Sequence, residues 1–209
     1  MVRAPLFRSF VREESGVTLA EGLIAMPLVL LIFAAFVEFG YAAFQWNQTV
    51  KALQFGARRA AVSSSMVAGF DPAIVTALAP GSTNGGVAIP VGALGPWTCT
   101  GSPACTTELN RIVYGAPGVT SCQPIGTGSP AMCQLNPRIG IDNVRVTYMM
   151  SGLGYYGRPG GAVLTIRMEV LGITFNLPLL GALLGLNNVT VPAMPVTVTS
   201  EDLNTNSGS

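Results

Sequence analysis

Two carboxylates stand where an apolar run should not need them. Glu21 and Glu38 bracket Gly22–Val37, a stretch without a charged side chain. On a helix that interval rises about 26 Å, so both groups would fall near the edges of a hydrocarbon core roughly 30 Å thick. A carboxylate in lipid is costly unless it is solvated or paired, so each needs an interface or a partner. For Glu38 the two readings are solvation at the outer interface and pairing with a basic group on a partner helix; interfacial charges are cheap, which favours solvation. The other acids that could do chemistry, Glu108, Asp142 and Glu169, are scattered singly and read as solvated surface charges. The chain has no histidine, which removes the commonest general base and the commonest metal ligand. It has no GxSxG nucleophile elbow, and its single lysine, Lys51, sits in no P-loop context. An anchored hydrolase is therefore poorly supported, and neither enzymatic activity nor a metal or other cofactor is expected.

The cysteines offer a different chemistry. Cys99, Cys105, Cys122 and Cys133 all fall in one Gly/Pro-rich stretch. An even, clustered set fits a disulfide framework in an oxidising compartment. Zinc fits less well, because the spacing is not that of paired CxxC knuckles. Three connectivities are open, and proximity in sequence favours Cys99–Cys105 with Cys122–Cys133.

The elements that must position these groups begin with a span. Only 10% of residues are charged and 49% are hydrophobic, with a formal net charge of +1. That balance, with no basic stripe, gives no reason to expect a nucleic-acid partner. Val17–Ala43 is long enough to cross a bilayer as one helix, and Pro27 is tolerated in a membrane helix where neighbours satisfy the freed carbonyl. A cleaved secretory signal would seldom carry a glutamate within its apolar core, and a buried soluble helix would seldom be apolar on every face. A retained membrane helix is the favoured reading. Arg3, Arg8 and Arg12 before the span are nearly balanced by Lys51, Arg58 and Arg59 after it. The cysteines break that tie and place the C-terminal part outside the cytoplasm.

Beyond the span the helix is predicted to continue, amphipathic, over 44–65. Phe39, Ala43, Trp46, Val50, Leu53, Ala57 and Ala60 recur at spacings of four and three, leaving Gln45, Gln48, Lys51, Gln54 and Arg58 on other faces. This stripe would pack on the chain's own domain, the commoner outcome, or form a seam with another subunit. Asp71-Pro72 predicts a short helix over 72–79, and residues 80–138 read as a long disulfide-tied loop. Strands are expected within 139–200, at Asn143–Met149, Val163–Phe175 and Val189–Thr199. The apolar segment 177–186 reads as a short helix that covers the sheet or, less commonly, touches the membrane. The expected class is α+β, a long N-terminal transmembrane-plus-amphipathic helix packed on a small antiparallel β-sheet, with residues 66–209 forming the extracytoplasmic domain.

Gly16 to Glu21 (GVTLAE), Pro27 six residues later, Val37-Glu38-Phe39-Gly40 and the run Gly56-Ala57-Arg58-Arg59-Ala60-Ala61 resemble the TadE/TadF-type pseudopilins of tight-adherence (Flp) pilus assembly. The resemblance covers about residues 16–61. It implies a single-span component of the bacterial inner membrane with a small periplasmic domain, no enzymatic activity, and other pilins and the pilus secretion machinery as partners. It also implies a basic leader, Met1–Gly16, cut before Val17 by a prepilin peptidase, with Glu21 as the fifth mature residue. Cleavage would free an α-amino group on Val17, ordinarily cationic at neutral pH, to partner Glu21 of an adjacent subunit. The sequence departs from the pilin-type pattern at Gly22, where an aromatic residue is usual; in an uncleaved anchor Glu21 would sit solvated at the cytoplasmic interface. The alternative function is an anchored binding or adhesin module that uses the Gly/Pro-rich loop.

Overall fold

A computed structural model describes residues 14–67, 70, 85–126, 130–157, 163–185, 188–190 and 194–200. Most of the leader and the helix expected over 72–79 lie outside the described residues.

Helix α1 runs from Glu14 to Val62, 49 residues with Pro27 inside it. It stops slightly before the expected boundary at 65, where the Ser63 hydroxyl donates to the carbonyl of Arg59 at 2.6 Å and competes for the last turn. Two compact units are formed. One holds the described parts of Met1–Ala43 and Asn176–Val189; the other holds those of Phe44–Phe175 and Thr190–Ser209.

In the larger unit a four-stranded antiparallel sheet has the order β1-β2-β3-β6, with β1 Trp97–Thr100, β2 Val144–Met149, β3 Thr165–Val170 and β6 Val196–Thr199. The alternation of β2 behaves as expected: Val144, Val146 and Tyr148 are buried, while Arg145 and Thr147 are only half-buried. Cys99, Val146 and Met168 lie opposite one another across β1, β2 and β3 and point into the core. Ala52, Leu53, Ala57, Ala60 and Ala61 of α1 close that core from the helix side. The helical face is built of small side chains, so backbone and sheet approach closely. At Gly56 an added Cβ would collide with the thioether of Met132 and come within 2.8 Å of that of Met168.

Several expectations need correction. Residues 80–138 are not a structureless loop: they contain β1, helix α2 (Thr106–Val113) and the short helix α3 (Met132–Leu135). β1 is too short for its alternation to stand out among the flanking prolines and glycines. The helical signal of α2 was present, since Leu109, Ile112 and Val113 have the right spacing and are buried, with Glu108 in the first turn and Arg111 in the last. The strand expected over Val163–Phe175 is broken into β3 and β4 (Thr174–Asn176) at Gly172, whose φ of +71° no strand interior tolerates. Asn143 fixes this corner: its carbonyl accepts from the N–H of Leu171 at 2.7 Å, and its side-chain amide donates to the carbonyl of Leu171 at 3.0 Å. The last expected strand resolves into β5 (Asn188–Thr190), which ladders with β4, and β6. Glu169 is not a solvated charge; it is buried and paired with Arg145, at 3.7 Å across the ladder, and with Arg167.

Two measurements test this packing. Gly56→Leu should overpack the helix–sheet contact and cost about 1–3 kcal/mol in denaturant unfolding. Gly56→Ala should be nearly neutral, because the methionine tips can give way and alanine favours the helix. The second concerns Tyr148, buried under Phe70 with ring centroids 5.1 Å apart, whose hydroxyl accepts from the N–H of Met66 at 3.3 Å. Burial pushes its phenol up to about 12 from an ordinary 10.0. Its stabilising contribution is thus fully present below pH 10 and lost as pH rises toward 12. Tyr148→Phe should flatten that alkaline loss in unfolding experiments and cost about 1 kcal/mol near neutrality.

Candidate functional site

The groups singled out by the sequence fall into three places. Gly16 and Val17 are helical and lie near the start of the described part of α1. Glu21 follows on the same helix, exposed and without a partner among the described residues. It is followed by a helix whose apolar side chains are exposed all round: Leu28, Val29, Leu30, Leu31, Ile32 and Phe33 are consecutive and all open. An apolar surface on every face suits lipid and not a single packed seam. By length and composition, α1 is the one helix among the described residues able to cross a membrane.

Glu38 is not solvated. Its residue is 6% exposed, and its carboxylate lies at the start of helix α4 (Pro178–Leu184). One oxygen accepts from the backbone N–H of Leu179 and the other from that of Leu180, at 2.8 Å. The hydrogen-bond accounting at this helix end is complete. Pro178 has no N–H to satisfy, and the N–H of Gly181 already reaches the carbonyl of Leu177 at 2.8 Å. Only Leu179 and Leu180 are left without intrahelical acceptors, and Leu177 at the N-cap position supplies no side-chain cap. Glu38, more than 140 positions away in sequence, performs the task an N-terminal Ser or Asp would normally perform. The helix dipole favours the negative charge there, and charge-assisted bonds are the stronger kind. Segment 177–186 forms the expected short helix, and α4 is grouped in one unit with the apolar half of α1.

Within the larger unit the stripe on α1 is rotated from its expected position. Leu53 and Ala57 are fully buried, while Trp46 and Val50 are half-buried. Gln45 and Thr49, the first of which was placed on a solvent face, are instead buried. Arg138 donates to the side-chain oxygen of Gln45 at 3.0 Å and to the carbonyl of Thr174 at 3.1 Å. Asn136 donates to the Thr49 hydroxyl at 2.8 Å, which in turn donates to the carbonyl of Gln45 at 2.9 Å. The polar start of this buried stripe is held by hydrogen bonds that no periodicity could reveal, since its partners lie about 90 positions away. Farther along, Arg59 donates to the carbonyls of Pro130 and, at 2.7 Å, Gly115. Burial, with Arg111 nearby, lowers its pKa below the ordinary guanidinium value.

The cysteines form two pairs, Cys99–Cys105 and Cys122–Cys133. The first joins β1 to the residue preceding α2, and the second ties an exposed turn to α3. No group of three or more potential metal-ligating side chains occurs among the described residues.

This arrangement defines a class: an α+β protein whose single long helix is half apolar span and half sheet-packing element. Residues 16–58 of that helix match the family model described as TadE-like protein, a match that takes in most of both halves of α1. No characterised protein and no solved structure shows significant similarity to the chain.

The clasp at α4 has a direct test. Glu38→Gln keeps one acceptor oxygen and loses the charge, which should weaken the cap by about 1–2 kcal/mol. Amide exchange at Leu179 and Leu180 should then accelerate roughly tenfold, since 1.4 kcal/mol corresponds to a factor of ten. Hydrogen–deuterium exchange on the peptide spanning Asn176–Gly185 reads this directly, and Gln54→Glu on an exposed face of α1 is the control expected to change nothing there.

Proposed function

We propose that this chain is a non-enzymatic minor pseudopilin, or assembly component, of a tight-adherence type IV pilus system, anchored by the apolar half of α1. The observation that carries the reading is where the family match falls. It covers residues 16–58, and so takes in both out-of-place glutamates and the first part of the small-residue face that packs on the sheet. Pilus-associated function in such a protein lies in lateral association of helices, and no chemistry on a substrate is required. Partners are other pilins or pseudopilins and the secretion machinery, in the inner membrane with the cystine-bearing domain on the periplasmic side. The two disulfides support that side, because they form and persist in oxidising compartments.

In this reading Glu21 is the residue that acts between subunits. It is exposed and unpaired among the described residues, in contrast to Glu38, whose acceptors are used within its own chain. Removal of the leader at Gly16–Val17 would place a new cationic amine within reach of a neighbour's Glu21. Packing with such a pair would fix the axial stagger of adjacent helices.

The processing step is tested by intact mass and N-terminal sequencing of protein recovered from cells that contain a prepilin peptidase. A chain that begins at Val17 is expected; one that begins at Met1 refutes processing. Glu21→Gln should then impair pilus assembly without lowering the unfolding stability of the cystine-bearing domain. A test of an adhesin role needs care, because deletion of 99–133 would remove the core residues Cys99, Leu109, Ile112, Val113 and Met132. Ile125→Asp, on the exposed turn beside Cys122, alters that surface alone and should leave assembly and surface attachment unchanged.

A further inference from the structure

Helix α4 contains Pro178-Leu-Leu-Gly-Ala-Leu-Leu184, with no polar atom in any side chain. Leu179 and Leu183 are 60% and 62% exposed. They are four residues apart, so they lie on one face of the helix. Two open leucines on a seven-residue helix forgo the stabilisation that removal from water would bring. The backbone of the same helix is sealed at its N-terminal end by Glu38, and the chain leaves its other end through Gly185 in the left-handed conformation, φ +71°.

The occupant of this face is identified by what it is continuous with. Through its hydrogen bonds to Glu38, the start of α4 is held at the level where the uncharged run Gly22–Val37 ends. Around Glu38 the neighbouring side chains of α1, Phe36, Val37, Phe39 and Tyr41, are all exposed. Aromatic residues are enriched at that depth, where acyl chains give way to headgroups. A docking surface for protein shows a polar rim around its apolar centre, whereas α4 itself carries no polar side chain.

We propose that α4 is a lipid-contacting element, with Leu179 and Leu183 inserted among acyl chains at the edge of the membrane and Glu38 as the clasp that holds it there. The inference rests on the anchoring of α1 proposed above and adds a second, in-plane contact with the bilayer. Its partner is the hydrocarbon boundary itself, with no headgroup specificity, because α4 carries no charge to read one. Glu38 suits the role: burial of a helix N-terminus near lipid leaves N–H groups that hydrocarbon cannot satisfy, and the carboxylate satisfies them.

The test uses the full chain in phosphatidylcholine vesicles. The native cysteines are paired, so Leu183→Cys and Leu30→Cys can each be labelled singly with an environment-sensitive fluorophore. Quenching is then read with spin labels placed high or deep on the lipid acyl chain and with aqueous iodide. The proposal expects the Leu183 probe to lose intensity to the shallow lipid label and not to iodide, while the Leu30 probe responds to the deep label. If Leu30 is quenched by lipid and Leu183 by iodide, α4 lies in water; the proposal is overturned and the anchor stands. If Leu183 responds to neither quencher, protein covers it and a subunit contact replaces the lipid contact. If Leu30 escapes the lipid labels, the anchor reading fails, and this inference fails with it.

Discussion

One helix with two different burial problems governs this protein. The ladder of α1 is continuous from Glu14 to Val62, which satisfies its backbone wherever it lies apart from the termini and Pro27. The side chains then decide the solvent. From Leu19 to Tyr41 large apolar groups are exposed on every face, a surface that water does not stabilise and lipid does. From Gln45 onward one face is buried on the chain's own core and the others carry Lys51, Gln54 and Arg58. The first half can take a single α-helix across a membrane without a partner; the second requires the sheet.

Each half solves its problem with different residues. The sheet-packing half uses absence: Ala52, Gly56, Ala57, Ala60 and Ala61 keep the helix thin, so that Met132, Met168 and the β2 side chains fill the space. It also uses polar hydrogen bonds, Gln45 and Thr49 with Arg138 and Asn136, where the buried face begins. The apolar half uses a single charge. Glu38 gives up solvation and receives two backbone N–H groups, which makes the start of α4 possible without a cap of its own. A carboxylate is the right group, because both of its oxygens accept and the helix terminus is electropositive.

Much of this was legible in the sequence because it depends on local periodicity. The long apolar helix is marked by its unbroken apolar run, and its continuation and the alternation of Val144, Val146 and Tyr148 by repeats near 3.6 and 2 residues; these, and the α+β class they imply, need no knowledge of distant partners. The misses have a common cause. β1 is only four residues, set among Gly and Pro, and acquires its identity from pairing with β2 more than forty positions later. Gln45 looks solvent-facing until Arg138 is brought to it. Glu38 looks interfacial until α4 is placed beside it, and the neutral appearance of α4 hides a helix start that needs an external acceptor. Glu169 looked solitary partly for the same reason, since Arg145 pairs with it only across the β2–β3 register; its other partner, Arg167, stands two positions away on the same strand. Long-range polar contacts leave no local pattern, whereas apolar periodicity does.

The central claim is that α1 changes solvent along its length, from lipid to a packed aqueous domain. Single-cysteine substitution along 23–58, with a membrane-impermeant maleimide added to vesicles that contain the full chain, measures this most directly. Positions from Leu23 to Val37 should remain unlabelled until detergent is added, while Gln48, Lys51, Gln54 and Arg58 should react, and from one side of the membrane only. Ready labelling within Leu23–Val37 in intact vesicles would contradict the account.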